Sequence, residues 1–414
     1  MLTINDSLAQ SYIELEEKYG AHNYHPLPVV LNRGEGVFLW DVDGKKYYDF
    51  LSAYSAVNQG HCHPRIIQAL TQQASKLTLT SRAFFNDLLG KYEAFMTDIF
   101  GYDKLLPMNT GVEGVETAIK LCRRWAYEIK GVNEGQAQII VAQGNFHGRT
   151  MAAISISSDV DSKGGYGPYL PGFIEVPYND IEAFKKAIRL PNIAGVLMEP
   201  IQGEAGVFVP EDTYLKEVYS LCKENNVLFI ADEVQTGIAR TGAMLACDLI
   251  DIRPDILILG KAVSGGVLPV SCVMADDEIM LTIQPGQHGS TFGGNPLSCA
   301  VAMEAMQVVL DEKLAENAAR LGKIFRTEMQ KLVDSCDLVT LVRGKGLLNA
   351  IVINDSETSS TAWDICLRLA ENGLLAKPTH GNIIRFAPPL VMTEEQLLDC
   401  CNIIRETILQ FEEK

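Results

Sequence analysis

The sequence has no run of about 18 or more apolar residues, the length that a helix needs to cross a bilayer. It also lacks a basic excess, because its 414 residues include 35 Lys and Arg but 52 Asp and Glu, a net charge of −17. An acidic surface repels phosphate backbones and anionic lipid head groups. We therefore expect neither a nucleic acid nor a membrane among its partners. With 47% hydrophobic residues, the chain has enough apolar material for a large globular core.

Several motifs for nucleotide binding and hydrolysis are missing as well. No G-x-G-x-x-G follows a predicted strand and no G-K-S or G-K-T occurs, which excludes the usual dinucleotide fingerprint and the P-loop. Neither G-x-S-x-G nor H-E-x-x-H occurs, so the serine-hydrolase elbow and the zinc-protease helix are excluded too. Residues 61–63 (His-Cys-His) look like part of a metal site, but no second group of ligands stands near them. We interpret them as a turn before Pro64 and expect no bound metal.

The ten cysteines are scattered, and none forms a C-x-x-C pair. Cys62, Cys122, Cys272 and Cys299 have apolar neighbours, so we expect mostly reduced, buried thiols, as in cytosolic proteins. A redox role for one pair stays open. The first twenty residues contain four acidic residues and no Arg, which fits neither a secretory signal nor a mitochondrial transit peptide. The sequence therefore predicts a cytoplasmic protein.

Five short apolar runs indicate the strands of a mainly parallel sheet. Each is rich in Ile and Val and is apolar at consecutive positions, as in strands that are buried on both faces. The runs are Gln138–Ala142, Gly195–Met198, Val227–Ile230, Ile256–Leu259 and Val270–Met274. Amphipathic stretches between them predict helices that cover the sheet, so we expect an α/β fold.

Two helices have the clearest patterns. One spans about Glu113–Lys130, with apolar residues that include Ile129 on one face, and Thr110 and Glu113 form a capping box at its start. The other closes the chain at about Glu394–Phe411, with apolar residues alternately four and three positions apart. Both patterns predict helices that pack by one face against the rest of the molecule.

The chain divides into three parts. Residues 1–55 look like an N-terminal arm with a small hairpin around Asp43-Gly44. Residues 56–296 contain the alternation of strands and helices and predict a large α/β domain. This alternation stops near Pro296, where a long helical stretch begins. We therefore expect residues 297–414 to form a smaller α+β domain.

Three polar groups follow predicted strands, where open α/β sheets bind ligands. Burial of Lys261 would favour its neutral, nucleophilic amine, although a lysine at a strand end is often only a surface residue. Asp232 could equally be a helix cap. Residues 109–112 precede the long helix and form either an anion site or only a capped helix. Together they supply what pyridoxal phosphate needs: an amine, a carboxylate for the ring nitrogen and a phosphate site.

Three ordered motifs carry a family resemblance. They are DEVQTG with RTG at 232–242, GKA at 260–262 and GSTFGGNP at 289–296. They resemble the class III pyridoxal-phosphate-dependent aminotransferases, and the resemblance covers nearly the whole chain. It implies fold type I, with a large domain on a mainly parallel sheet, a smaller C-terminal α+β domain and an N-terminal arm.

Three further segments, at 19–28, 52–60 and 373–380, resemble those of the ornithine aminotransferases within this class. The implied reaction transfers the δ-amino group of L-ornithine to 2-oxoglutarate, giving L-glutamate 5-semialdehyde and L-glutamate. The semialdehyde should cyclise spontaneously, which implies a role in proline or arginine metabolism.

The resemblance implies a role for each residue around the cofactor ring. Lys261 would bind pyridoxal 5′-phosphate covalently and later move a proton at the reacting carbon. Asp232 would pair with the ring nitrogen and keep it protonated. Phe146 and Val234 would contact the two faces of the ring, and Gln235 would hydrogen-bond its hydroxyl group.

The phosphate site is implied to contain residues from two chains. Backbone N–H groups of Gly111 and Val112 would hold the phosphate within one chain. Ser290 and Thr291 would reach the phosphate of the neighbouring subunit. The resemblance therefore implies a homodimer with shared active sites.

The substrate residues are implied by charge. Tyr24 and Tyr54 would recognise the α-amine and α-carboxylate of ornithine. Arg149 would bind the distal carboxylate of 2-oxoglutarate, Arg385 its α-carboxylate, and Glu204 would cover Arg385 while ornithine is bound. In so acidic a chain we expect both arginines to lie in a shielded pocket.

Two alternatives stay open. The first is an aminotransferase for acetylornithine or another ω-amino acid, because residues 146–149 (FHGR) are common across the class, whereas Tyr24 favours ornithine. The second is a catalytically silent homologue that acts as a scaffold or binding protein. The intact Lys261 and Asp232 argue against the second alternative.

Overall fold

The computed structural model describes residues 8–412. Its helices, in chain order, are α1 (Leu8–Tyr19), α2 (Ser52–Ser55, a single left-handed turn), α3 (Pro64–Ala74), α4 (Leu89–Phe100), α5 (Gly111–Trp125), α6 (Met151–Ser155), α7 (Val160–Lys163), α8 (Ile181–Ala187), α9 (Tyr214–Glu224), α10 (Asp277–Met280), α11 (Pro296–Asp311), α12 (Leu314–Val333), α13 (Thr361–Glu371) and α14 (Glu394–Glu412). Across the described residues, no helix combines the length and the apolar character that a membrane span requires.

The strands belong to three sheets. In chain order they are β1 (Leu31–Glu35), β2 (Phe38–Asp41), β3 (Lys46–Asp49), β4 (Lys104–Met108), β5 (Gln138–Ala142), β6 (Phe173–Val176), β7 (Ile193–Met198), β8 (Leu228–Asp232), β9 (Ile256–Leu259), β10 (Ser271–Ala275), β11 (Val339–Lys345), β12 (Leu348–Ile353), β13 (Leu374–Leu375), β14 (Lys377–Thr379) and β15 (Ile383–Phe386).

The central sheet has seven strands in the order β4-β10-β9-β8-β7-β5-β6. The strands from β9 to β6 in this order pair in parallel, whereas β10 is antiparallel to both of its neighbours. In β5, Ile139 and Val141 pack into one apolar cluster, while Ile140 and Ala142 pack into another on the opposite face. Burial on both faces explains the consecutive apolar residues, and the predicted mainly parallel α/β sheet is confirmed.

The long helix after β4 begins as predicted and ends earlier. The Thr110–Glu113 capping box is present at the start of α5. The α-helical pattern stops at Trp125, and a π-helical turn spans Ala126–Lys130. Because a wider turn changes the direction in which side chains point, Ile129 is 49% exposed, and its predicted place on the buried face is wrong.

The two smaller sheets have four strands each and are built from the N-terminal segment and the C-terminal third. In the sheet β1-β2-β3-β13, β2 and β3 form the predicted hairpin, and β13 from the C-terminal third pairs in parallel with β3. The sheet β11-β12-β15-β14 is antiparallel throughout. Its strand β15 carries Arg385, which lies opposite Ala350 of β12 and Lys377 of β14. Helix α14 confirms the predicted closing helix.

The cysteines and histidines differ in part from expectation. All ten cysteines are free and nine are buried, but Cys62 is exposed, so its predicted burial is wrong. His61 bonds to Asp49 and His63 bonds to Glu312, so the two rings contact different carboxylates. Within residues 8–412, no group of three or more His, Cys, Asp and Glu side chains could hold a metal ion.

Candidate active site

Two side chains emerge at the carboxyl ends of the neighbouring strands β8 and β9. Asp232 is the buried last residue of β8, and Lys261 follows β9 after Gly260. Lys261 has a φ of +43°, in the left-handed region that non-glycine residues rarely adopt. Burial lowers the pKa of Lys261, although the carboxylates of Glu204 and Asp232 act in the opposite direction. This environment favours the neutral, nucleophilic amine.

Lys261 and Asp232 line a cavity of about 160 Å³. Five of the residues expected at the cofactor line the same cavity: Gly111, Val112, Phe146, Val234 and Gln235. A second cavity of about 350 Å³ shares Gly111 and Lys261 with the first. The structure therefore brings together seven expected residues from four separate segments of the chain.

The amino end of α5 lies at both cavities. The capping box uses the N–H groups of Thr110 and Glu113. Over the described part of the chain, the N–H groups of Gly111 and Val112 have no acceptor within hydrogen-bond distance. A Cβ atom at Gly111 would come within 2.8 Å of Val234 Cγ1, so glycine lets the helix begin directly against the cavity wall. Free N–H groups at a helix N-terminus form a site for a phosphate.

Asp232 is held from behind by a buried histidine. His147 Nδ1 donates to Asp232 Oδ2 at 2.6 Å. Burial acts to lower the pKa of His147, but the hydrogen bond to Asp232 and its charge outweigh that effect, so the pKa is raised. Beside them, Glu199 accepts a hydrogen bond from the Phe146 N–H at 3.0 Å, and burial raises the pKa of Glu199 to about 8. These contacts fix the Asp232 carboxylate and the Phe146 backbone at the cavity.

Sequence reasoning assigned no role to His147 or Glu199. Their signal is local, since His147 directly follows Phe146 and Glu199 directly follows the buried strand β7. Their contacts join segments that follow different strands of the sheet, and a single sequence does not show how those segments meet.

The residues present fit pyridoxal phosphate. Gln235 Oε1 is buried and has no hydrogen-bond partner within residues 8–412, so it can accept a bond from the ring hydroxyl. Phe146 and Val234 give the cavity apolar walls, and Asp232 gives it a carboxylate. With the free N–H groups at α5 and the amine of Lys261, each part of the cofactor has a matching group.

A carboxylate covers Arg385 beside this cavity. Arg385 Nη1 donates to Glu204 Oε1 at 2.7 Å and to the Gly203 carbonyl at 3.2 Å, and the Arg385 side chain is 1% exposed. Gln235 Nε2 donates to the same Glu204 oxygen at 3.0 Å. Burial acts to raise the pKa of Glu204, but Arg385 outweighs it and lowers that pKa. Arg385 Nε and Nη2 are buried without a partner among the described residues, so donors remain for another anion.

The two expected tyrosines lie near this pair. The ring centroid of Tyr54 is 5.3 Å from the guanidinium carbon of Arg385. Burial raises the pKa of Tyr54, and the charges of Glu204 and Tyr24 act in the same direction. Tyr24 is 72% exposed, with its ring 5.8 Å from Lys377 Nζ. Tyr24 therefore lies beside Lys377, the residue opposite Arg385 on β14.

Three expected site residues are exposed or only partly buried in the single chain. The Arg149 side chain is 63% exposed and is 3.9 Å from Asp159, so the expected shielded pocket is wrong for Arg149 within one chain. Ser290 Oγ accepts a hydrogen bond from Asn109 Nδ2 at 2.8 Å. Thr291 is exposed.

Comparison with known proteins identifies the family. The family model for aminotransferase class-III matches residues 19–408. The chain belongs to the class-III aminotransferases. As a member of this class it is a pyridoxal-phosphate-dependent transaminase, and pyridoxal phosphate is its cofactor.

Individual class-III aminotransferases are similar over almost their full length. "Ornithine aminotransferase, mitochondrial" of Drosophila ananassae is 60% identical over 403 residues, which cover 97% of this chain and 92% of the fly protein. An ornithine aminotransferase structure from Toxoplasma gondii, described with partial occupancy of pyridoxal phosphate, has a TM-score of 0.96 at 47% identity and covers 98% of this chain and 95% of its own. A structure named acetylornithine aminotransferase, from Elizabethkingia anophelis, has a TM-score of 0.90 at 63% identity. The match covers 97% of this chain and 99% of the Elizabethkingia chain. The expected fold type I is confirmed.

Proposed function

We propose that this aminotransferase transfers the δ-amino group of L-ornithine to 2-oxoglutarate, giving L-glutamate 5-semialdehyde and L-glutamate in a ping-pong reaction. The observation that carries the proposal is the Glu204–Arg385 pair, a buried cation that is covered by a carboxylate and still has free donors. The names of the fly and Toxoplasma relatives support the same substrate.

Within this site, each chemical task belongs to a residue on the cavity wall. When bound, pyridoxal phosphate supplies an electron sink for the carbon that bears the reacting amine. Lys261 Nζ holds the cofactor and moves a proton at that carbon. The Asp232 carboxylate, which His147 holds in place, would accept a hydrogen bond from the ring nitrogen and keep it protonated. Phe146 and Val234, on the cavity wall, would exclude water from the bound ring.

The Glu204–Arg385 pair lets one pocket accept two substrates of opposite charge. Ornithine presents a cationic amine, which an uncovered Arg385 would repel. With Glu204 over it, the arginine is neutralised, and Tyr24 and Tyr54 recognise the α-amine and α-carboxylate at the far end. The dianion 2-oxoglutarate instead takes Arg385 for its α-carboxylate and Arg149 for its distal carboxylate.

Stopped-flow spectroscopy of the two half-reactions tests this proposal. We expect the visible absorption band of the cofactor-loaded protein to shift on adding ornithine, and to return on adding 2-oxoglutarate. Lys261→Ala removes the amine that binds the cofactor covalently. This variant should therefore lack both the visible band of the lysine-bound cofactor and the reaction. A protein that carries cofactor but does not respond to ornithine would show that the proposed substrate is wrong.

Acetylornithine is the second candidate substrate. It is favoured by the name of the Elizabethkingia structure, which is 63% identical to this chain. Tyr24 argues for ornithine, because an acetylated α-amine is neutral and needs a different pocket. We expect faster reaction with ornithine than with acetylornithine or 4-aminobutyrate, and Tyr24→Ile should slow the ornithine reaction selectively.

We also propose that the active unit is a homodimer. Phe84, Phe85 and Phe292 are large apolar side chains that are 73%, 105% and 56% exposed in the single chain. Contiguous exposed apolar surface marks sites of protein interaction, and Phe84 and Phe85 are adjacent in the chain. Thr291, next to Phe292, would then reach the phosphate of the neighbouring subunit together with Ser290. Sedimentation analysis of the loaded enzyme measures the oligomeric state directly.

The domain division and the location of the enzyme are further proposals. We propose an arm at residues 1–55, a large domain at 56–296 and a small domain at 297–414, with strand β13 of the small domain completing the sheet of the arm. A cytoplasmic location is supported by the ten free cysteines, which are typical of a reducing compartment, whereas the fly relative is named mitochondrial. Cell fractionation decides between the two. A role in proline or arginine metabolism would follow from the proposed product.

A further inference from the structure

A buried carboxylate outside the cofactor cavity holds the turn that presents Tyr54. Asp49 ends strand β3 and is 3% exposed. Its Oδ1 accepts hydrogen bonds from the N–H groups of Leu51 at 2.8 Å and Ser52 at 2.9 Å. Its Oδ2 is 2.7 Å from His61 Nε2. One carboxylate therefore joins the entry of the turn to a separate segment of the chain.

The turn itself has an unusual backbone. Ser52, Ala53, Tyr54 and Ser55 have φ values of +47°, +46°, +59° and +72°. In the left-handed region the Cβ atom crowds the carbonyl oxygen, so L-residues normally enter it singly and not in runs. Four such residues in succession persist only where the surrounding structure fixes them, and this kind of strain is concentrated at functional sites.

The same turn is tied to the strand that carries Arg385. The Phe50 N–H donates to the Leu375 carbonyl at 2.9 Å, and the Phe50 carbonyl accepts from the Ala387 N–H at 2.8 Å. Ala387 lies two residues after Arg385. Because the turn sets the position of Tyr54 and the strand sets that of Arg385, the hydrogen bonds at the turn decide how the two side chains face each other.

We infer that Asp49, oriented by His61, is a positioning residue for ornithine: it holds the left-handed turn so that Tyr54 meets the substrate beside Arg385. The inference rests on the proposed ornithine activity. It also gives a role to His61, whose motif suggested a metal site. The carboxylate acts through Tyr54 and touches neither substrate nor cofactor.

The first test compares Asp49→Ala with Asp41→Ala in the cofactor-loaded enzyme. Asp41 is a matched control in the same sheet, because its Oδ1 accepts from the N–H groups of Asp43 at 3.1 Å and Lys45 at 2.8 Å, and its Oδ2 accepts from the Tyr47 hydroxyl at 2.5 Å. We expect Asp49→Ala to raise KM for ornithine about tenfold with kcat within about twofold and the visible band retained. Asp41→Ala should leave KM unchanged. Equal effects of the two variants would overturn the inference.

A double-mutant cycle with Tyr54→Phe tests whether Asp49 acts through Tyr54. If it does, adding Tyr54→Phe to Asp49→Ala changes KM little further, because the interaction has already been lost. If the two effects on KM multiply in full, Asp49 does not act through Tyr54. A wild-type enzyme that does not react with ornithine contradicts the proposed function as well, whereas normal wild-type activity with an unchanged Asp49→Ala contradicts this inference alone.

Substitutions at the exposed Ala53 test the strain without touching Asp49. Glycine adopts the left-handed region freely. Adding Ala53→Gly to Asp49→Ala should therefore reverse part of the rise in KM, whereas Ala53→Gly alone should leave KM at the wild-type value. A β-branched residue resists that region, so Ala53→Val should raise KM for ornithine even where Asp49→Ala does not fold. If Ala53→Val leaves KM unchanged, the turn does not position Tyr54.

Discussion

Two arginines expected to bind 2-oxoglutarate have opposite environments. Arg385 lies on a central strand of its sheet, is 1% exposed and bonds to Glu204 at 2.7 Å. Arg149 lies in the loop before α6, is 63% exposed and is 3.9 Å from Asp159. A buried cation without its partner carries a large desolvation cost, whereas an exposed one is screened by water.

The difference shows how much of the substrate site one chain can build. Arg385 has both its covering carboxylate, Glu204, and its neighbouring tyrosine, Tyr54, within the same chain. Arg149 has a long ion pair and a Phe146 ring 5.3 Å from its guanidinium carbon. We therefore expect substitutions at Arg385 to change both stability and chemistry, and substitutions at Arg149 to change mainly the affinity for the keto acid.

Among substitutions of the substrate-binding charges, the largest effect is expected from Arg385→Gln. Removing one member of a buried, hydrogen-bonded charge pair costs about 2–5 kcal/mol, so kcat/KM for 2-oxoglutarate should fall roughly a hundredfold or more. The measurement is the rate of the second half-reaction at varied 2-oxoglutarate. Arg405→Gln, on the exposed side of α14, is the control and should behave as wild type. If Arg385→Gln keeps its 2-oxoglutarate rate, Arg385 does not bind that substrate.

A smaller and more selective effect is expected from Glu204→Gln. The substitution keeps the size of the side chain but removes the charge that covers Arg385, so the arginine would face the amine of ornithine. We expect the ornithine half-reaction to slow about tenfold and the 2-oxoglutarate half-reaction to stay within about twofold. Equal slowing of both half-reactions would show that Glu204 supports the fold and does not act as a cover.

Arg149→Gln should have a smaller effect again. Because the side chain is exposed, we expect KM for 2-oxoglutarate to rise about threefold, with no change in melting temperature. Raising the salt concentration should increase the wild-type KM in the same direction, since screening weakens exposed charges. A loss as large as that of Arg385→Gln would mean that the assembled enzyme encloses Arg149.

The same contrast explains what the sequence could predict. Consecutive apolar residues identify strands that are buried on both faces, and ordered motifs at strand ends identify Lys261 and Asp232, because both signals are local. The exposure of Arg149, Cys62 and Ile129 depends on what packs beside them, and a single sequence does not contain that information. The π-turn after α5 is an example, since it redirects Ile129, and Gly131 directly after it is equally typical of the end of an ordinary helix.

Two buried carboxylates extend the comparison to acids. Glu204 has a cation beside it and a lowered pKa, whereas burial raises the pKa of Glu199 to about 8, above its ordinary value of 4.5. Between pH 4.5 and about pH 8, the folded protein keeps a proton on Glu199 that the unfolded chain has lost. Folding stability attributable to this group therefore falls as the pH rises from about 4.5 to about 8.

Glu199→Gln should remove this contribution, because an amide does not titrate in this range. This is the smallest of the expected effects. Between pH 6 and pH 9 the melting temperature of the variant should fall by roughly 3 °C less than that of wild type. Glu175→Gln, exposed on strand β6, is the control and should follow the wild-type curve. Calorimetry across this pH range provides the measurement. If Glu199→Gln parallels wild type, Glu199 is ionised in the folded protein, and its charge is balanced by His147 in the way that Arg385 balances Glu204.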